Sequence, residues 1–218
     1  MNELAFSVSP RLRASVVNKK AKLGILLSGR GTNFLAIADS IDAGRIPNAE
    51  IAVVISNKED APGLAAAKKR GLDARLIPSK GKTREQHDAE MIQALKEKNV
   101  DLICLAGYMR LLSPEFIRAF PHKITNIHPS LLPAFPGLEA QKQALDYGVK
   151  ISGCTVHFVD EALDHGPIIL QKTVPVLPED DEHTLSERIL EEEHKAYSEG
   201  IALVLDGKVS FAGRKVVF

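Results

Sequence analysis

Asn126 and His128, with Asp164 further along the chain, are residue types that together could carry out acyl chemistry. The first two stand in NIHPSLLPAFPG (126–137), at the end of the apolar run KITNIHP. In extended backbone, residues i and i+2 face the same side, so the amide and the imidazole project together. Pro129 has a fixed φ and no N–H, and it biases His128 toward extended backbone. An amide donor beside an imidazole suits polarisation of a carbonyl and stabilisation of the oxyanion formed on attack. Imidazole also moves protons near neutral pH. A carboxylate completes such a set by tuning the His or taking up an amine proton. The candidate is Asp164 in VDEALDHGPI (159–168), in a loop with Gly166 and Pro167. Each residue has an ordinary reading too: Asn126 as a turn cap, His128 as a satisfied half-buried His, Asp164 as a turn residue. Spacing alone does not choose between the two readings.

A second candidate is SGRGTN (28–33), which follows the first apolar run and opens a helical pattern. Free N–H groups and the helix dipole converge at such a point, where α/β folds bind anions. Phe34 occupies the third glycine position of a dinucleotide fingerprint, and no Gly-Lys-Ser/Thr follows. A phosphomonoester therefore fits better than a pyrophosphate, and a plain structural turn stands as the alternative. Metal catalysis is disfavoured: the 7 His residues do not pair at helical spacing, and Cys104 and Cys154 lie far apart. A Ser130–His128–Asp164 hydrolytic triad lacks a G-x-S-x-G elbow around Ser130.

The elements that must hold these residues read as an α/β chain. Apolar runs at 22–29, 50–57, 73–79, 100–108 and 123–129 alternate with helical patterns, among them an amphipathic helix capped by Thr83. Strand, helix, strand at this spacing predicts crossover units and an open, mainly parallel twisted sheet flanked by helices, Rossmann-like in its N-terminal half. Beyond residue 150, SGCTVHFVD and GPIILQKTVPVLP read as two strands joined by a tight loop, antiparallel at the sheet edge. TLSERILEEEHKAYSEGIALVLDG reads as a long C-terminal helix. Residues 1–21 stand apart as an N-terminal extension without order, and residues 22–218 read as a single domain.

Composition narrows the partners. The chain has 218 residues, 44% of them hydrophobic, which is ample for a core. Its 28 Lys and Arg balance 28 Asp and Glu, so no global pull toward nucleic acid or membrane follows. No apolar stretch reaches the roughly 20 residues needed to span a bilayer. Two cysteines in apolar runs read as buried hydrophobes in a reducing, cytoplasmic setting.

Six ordered segments, SGRGTN, VISNKEDAPGL, LAGYMRLLSPEF, NIHPSLLPAFPG, TVHFVDEALDHGPII and EEEHKAY, resemble the phosphoribosylglycinamide formyltransferase family, folate-dependent enzymes of purine biosynthesis. The resemblance runs from about Lys22 to Val209. It implies the formyltransferase fold and no metal. It also implies 10-formyltetrahydrofolate as co-substrate and glycinamide ribonucleotide as acceptor, in a monomer or homodimer. Asn126, His128 and Asp164 match the family's catalytic trio. Gly31, Thr32 and Asn33 match its ribonucleotide phosphate loop, and Glu193 its ribose contact. The folate side falls on Met109, Arg110, Leu111 and Leu112, on the loop Val159, Asp160, Glu161, Ala162, Leu163, and on Arg84 near the benzoyl-glutamate tail. His157 lies at the site wall, with packing as its alternative role. Two departures stand out: His165, where the family often has a smaller residue, and residues 1–21, which have no counterpart. Methionyl-tRNA formyltransferases share the trio but carry a C-terminal β-domain, and PGLEAQKQAL stands where they carry Arg-Gly-Ala. Formyltetrahydrofolate deformylases share it too, behind an N-terminal regulatory domain that 21 residues cannot supply.

Overall fold

A computed structural model describes residues 19–218. The extension expected over 1–21 lies outside these residues apart from its last three, and Ala21 already opens the first strand. In the first half, β1 (Ala21–Leu27), α1 (Thr32–Asp42), β2 (Ala49–Ser56), α2 (Pro62–Lys69), β3 (Ala74–Leu76), α3 (Arg84–Glu97), β4 (Leu102–Leu105), α4 (Pro114–Ala119) and β5 (Ile124–His128) alternate as expected. Then follow α5 (Ala140–Tyr147), β6 (Ile151–Phe158), β7 (Ile168–Pro175), α6 (Glu182–Leu205) and a hairpin of β8 (Ser210–Ala212) with β9 (Lys215–Val217).

Strand composition dictates the layering. β1 is a continuous apolar run whose last five residues are buried, as a parallel strand covered on both faces must be. Its alternate residues feed two cores. Leu23, Ile25 and Leu27 pack with Phe34 and Ile37 of α1 and with Ile189 and Tyr197 of α6. Leu26 packs on the other face with Met91 and Leu95 of α3 and Phe116 of α4. β4 divides likewise, Leu102 and Cys104 to the first core, Ile103 and Leu105 to the second. Cys104 and Cys154 are free and buried, and burial pushes both thiols up to about 12.

The sheet runs β3-β2-β1-β4-β5-β6-β7. Parallel pairing holds from β3 to β5, while β6 is antiparallel to both β5 and β7. Strand order reverses between β1 and β4, the point where open α/β sheets gather ligands. There Ala106 N–H donates to Leu26 at 2.8 Å and Ser28 N–H to Gly107 at 3.0 Å, binding the two strand exits together. Helix starts follow local chemistry. Thr83 and Gln86 cap α3 reciprocally, and Asp181 and Thr184 do the same for α6.

Three features differ from the sequence-based expectation. The link between β6 and β7 is the extended loop 159–167 rather than a tight turn, because it folds back over β5. Helix α5, absent from the sequence-based expectation, is only eight residues long, and the residues it buries are the small Ala140 and Ala144. The β8–β9 hairpin is built from two three-residue strands, too short for a pattern.

Tyr197 ties α6 to the strands that carry the site. Fully buried, its hydroxyl reaches the carbonyls of Thr125 at 2.9 Å and Leu105 at 3.2 Å. Burial pushes the phenol well above its ordinary range, so it stays a donor. Tyr197→Phe is expected to lower stability by about 1–2 kcal/mol, measured by urea denaturation. An unchanged midpoint would remove this hydroxyl from the framework.

Candidate active site

Ile124, Asn126 and His128 alternate onto one face of β5, with Ile124 in the α3–α4 core and Ile127 turned to the other. That face is the floor of the site. Register opposes Asn126 to His157 and His128 to Thr155 across the antiparallel β5–β6 pair. Asn126 Nδ2 lies 3.2 Å from His157 Nε2. The other ring nitrogen, Nδ1, lies 2.8 Å from the carbonyl of Phe158. A carbonyl only accepts, so Nδ1 carries the proton and Nε2 accepts from the amide. Burial pushes the His157 pKa down, against the pull of the Phe158 carbonyl and Asp164, in keeping with a neutral ring. The orientation of Asn126 is thereby set, and its second amide proton has no partner among the described residues.

Asp164 is brought to His128 from the 159–167 loop. Its Oδ2 lies 3.4 Å from His128 Nδ1 and accepts the Gly137 N–H at 2.8 Å, and its Oδ1 is 3.8 Å from His157 Nε2. His128 Nε2 faces the Phe135 carbonyl at 2.9 Å. A carbonyl only accepts, so Nε2 carries a proton and donates to Phe135 O, while Nδ1 faces the nearly buried Asp164 carboxylate at ion-pair distance. Asn126, His128 and Asp164 therefore do converge.

The proline-rich turn holds this geometry. Its Leu132–Pro133 bond is cis. Ser130 Oγ donates to Ala134 O at 2.5 Å and is aimed away from nucleophilic use. Thr155 Oγ1 donates to Ser130 O and accepts from Leu132 N–H, while Gln171 Nε2 reaches Leu132 O at 2.9 Å. At the far end of the loop, a Cβ on Gly166 would lie 1.9 Å from Phe158 O, so only glycine lets the chain pass so close to β6.

The glycine loop forms a second wall. Gly31 starts α1 at φ 75 with no side-chain cap, which leaves first-turn N–H groups open to an anion. A Cβ there would meet Gly63 Cα at 2.8 Å. Thr32 is half-buried; Asn33 is buried and donates to Glu193 Oε2 of α6 at 2.7 Å. The Glu193 carboxyl is buried, which raises its pKa against the lowering effect of that bond.

The third wall is 109–112. Met109 and Leu111 are 65% and 56% exposed, a pair of apolar side chains at the mouth, whereas Leu112 is buried in the core and offers only backbone. Met109 N–H is taken by Ser28 Oγ at 2.9 Å. Arg110 Nε and Asn33 Oδ1 are buried without a hydrogen-bond partner, open positions that a ligand's polar atoms could fill. Ser113 N–H donates to Asp88 Oδ2 at 2.6 Å, docking α3 on this segment. Arg84 opens the same helix and pairs with Glu85; it makes no contact with the trio. In the loop, Val159 N–H bonds Ile124 O, Asp160 Oδ1 accepts from Ala162, Glu161 pairs with Arg118, and Leu163 is exposed near Gly137. Among the described residues no group of three metal-ligating side chains occurs, and no helix is long and apolar enough to cross a membrane.

Comparison with known proteins bears on the chain's family and fold. The family model described as Formyl transferase matches residues 21–201. The trifunctional purine biosynthetic protein adenosine-3 of Drosophila melanogaster is 45% identical over 199 residues, 90% of this chain. The chain spans only 15% of that protein's length. Phosphoribosylglycinamide formyltransferase of Escherichia coli (strain K12) is 41% identical, over 85% of this chain and 87% of that protein. Glycinamide ribonucleotide transformylase 1 from Symbiobacterium toebii superposes with a TM-score of 0.88 at 51% identity, covering 91% of this chain and 93% of that one.

Glu193 generates a stability prediction. Because its folded pKa is raised, folding carries no penalty at low pH, where both states are protonated. The penalty grows as pH rises through the ordinary value of 4.5 and is complete above the folded pKa. Glu193→Gln keeps an acceptor for Asn33 without charge. The variant is expected to be more stable than the parent at pH 7.5, with the gap closing below about pH 4; parallel denaturation curves at the two pH values check this.

Proposed function

The chain belongs to the formyl transferase family, and on that premise we propose that it transfers the formyl group of 10-formyltetrahydrofolate to the amine of N1-(5-phosphoribosyl)glycinamide in purine biosynthesis. Residues 22–218 act as one catalytic domain in this reading. The observation that carries it is the meeting of Asn126, His128 and Asp164 over β5.

The acceptor amine attacks the formyl carbon, a C–N bond forms, and the carbonyl electrons move onto oxygen. Asn126 donates its uncommitted amide proton to that oxyanion. His128 Nε2–H is committed to the Phe135 carbonyl, so the ring, with Asp164 opposite it, contributes positive charge beside the developing negative one rather than a direct hydrogen bond. Asp164 keeps His128 charged and accepts the proton that the amine loses, through a water. Collapse of the intermediate expels the folate nitrogen, which takes up a proton. A neutral His157 keeps the Asn126 amide aimed.

The substrate contacts follow the walls. Open N–H groups at Gly31, Thr32 and Asn33 hold the ribonucleotide phosphate, and Glu193 accepts from the ribose. The pterin lies against Met109, Arg110 and Leu111 and under the loop from Val159 to Leu163, with Leu112 supplying backbone. Arg84 attracts the glutamate tail at longer range.

Incubating the protein with 10-formyltetrahydrofolate and the ribonucleotide is expected to yield formylated ribonucleotide. Free formate as the main product would instead indicate a hydrolase built on the same trio. His128→Ala is expected to lower kcat by on the order of 10²–10³, and near-normal turnover would remove it from the mechanism.

A further inference from the structure

The β8–β9 hairpin lies outside every contact assigned above, yet it grips the loop that carries Asp164. Phe211 stacks at 5.2 Å between ring centroids on Phe158, the last residue of β6, and at 4.5 Å on His122. From the hairpin turn, Arg214 reaches the residue directly after Asp164. Its Nη1 lies 2.6 Å from His165 Nε2, and its Nη2 donates to the His165 carbonyl. Nη1 also lies 3.0 Å from Nδ1, so the guanidinium faces the ring edge between the two nitrogens, and Nδ1 in turn lies 2.9 Å from Asp160 Oδ2. Asp160 in turn holds Ala162 N–H. One guanidinium thus fixes both the ring and the peptide carbonyl of His165, and with them the start and end of the loop.

That fixing bears on Asp164. Its φ is +46, a left-handed conformation that aspartate adopts more readily than most side chains but still at some cost. Gly166 against Phe158 O restrains the chain on one side, and the Gly137 N–H restrains the carboxylate. The 165–166 peptide, next along the chain from Asp164, is oriented by Arg214. The His165 ring gives the arginine a second hold beside the peptide carbonyl.

We propose that Arg214 is a positioning residue for formyl transfer, latching the 159–167 loop through His165 so that Asp164 and the pterin-facing wall are set before substrate arrives. The inference rests on the functional reading above for its kinetic consequence, and on geometry alone for the latch. The contacts are partly exposed, so the effect is modest.

Two measurements on the whole chain test it. Hydrogen exchange in the parent and in Arg214→Ala is expected to differ at 159–166, with faster exchange in the variant and unchanged protection in β1, β4 and β5; equal exchange in the loop overturns the latch, whether or not the protein proves active. In the transfer assay, Arg214→Ala is expected to raise KM for 10-formyltetrahydrofolate by about five-fold, leaving KM for the ribonucleotide and the thermal midpoint unchanged. Because the carbonyl contact survives in His165→Ala, the combined Arg214→Ala and His165→Ala variant is expected to lose less than the product of the two single losses. A normal folate KM in Arg214→Ala, or losses that multiply in the double variant, overturns the positioning role. Absence of formyl transfer by the parent counts against the functional reading and leaves the exchange result to decide the latch.

Discussion

The hydrogen bond from Gly137 N–H to Asp164 is the contact on which the site's geometry depends. A carboxylate removed from water is costly unless charge and donors replace its hydration. Here the replacement comes from both ends of one segment, the His128 imidazole at its start and a backbone amide at its close. The carboxylate therefore joins the proline-rich turn to a loop from between the antiparallel strands. Neither piece alone would hold the other's shape.

Behind that contact stands a graded scaffold. The sheet aligns Asn126 and His128 on one face, and pairing with β6 supplies His157 and Thr155 at matching positions. Thr155 and Gln171 secure the turn through backbone groups that would otherwise be unpaired. Tyr197 braces the same strands from the opposite core. Each layer is more local and more polar than the one beneath it, from apolar sheet to hydrogen-bonded turn to charged pair.

Much of this was legible in the amino-acid chain. Continuous apolar runs with helices between them specify a parallel sheet, and the change of texture beyond residue 150 matches the antiparallel edge. Asn126, His128 and Asp164 stood out as candidates by type and position, while spacing alone left their ordinary turn and packing roles equally open. What stayed hidden shares a physical cause. Gly137 and Phe135 act through backbone N–H and C=O, which every residue possesses. His157 acquires its role from strand register, and Arg214 from a hairpin too short to show periodicity. The tight loop expected after β6 gave way to a longer one because residues there answer to the site rather than to the turn. Arg84 keeps its helix-opening position but stands apart from the trio.

Asp164 is also a small spring. Holding a residue with a side chain at φ +46 costs about 1 kcal/mol relative to its relaxed backbone. The contacts around it offset that cost, so the arrangement is less deep than those contacts alone suggest. A carboxylate seated under such tension is held less firmly than its partners alone imply, so the neighbouring contacts at His165 and Gly166 weigh more in keeping it in place.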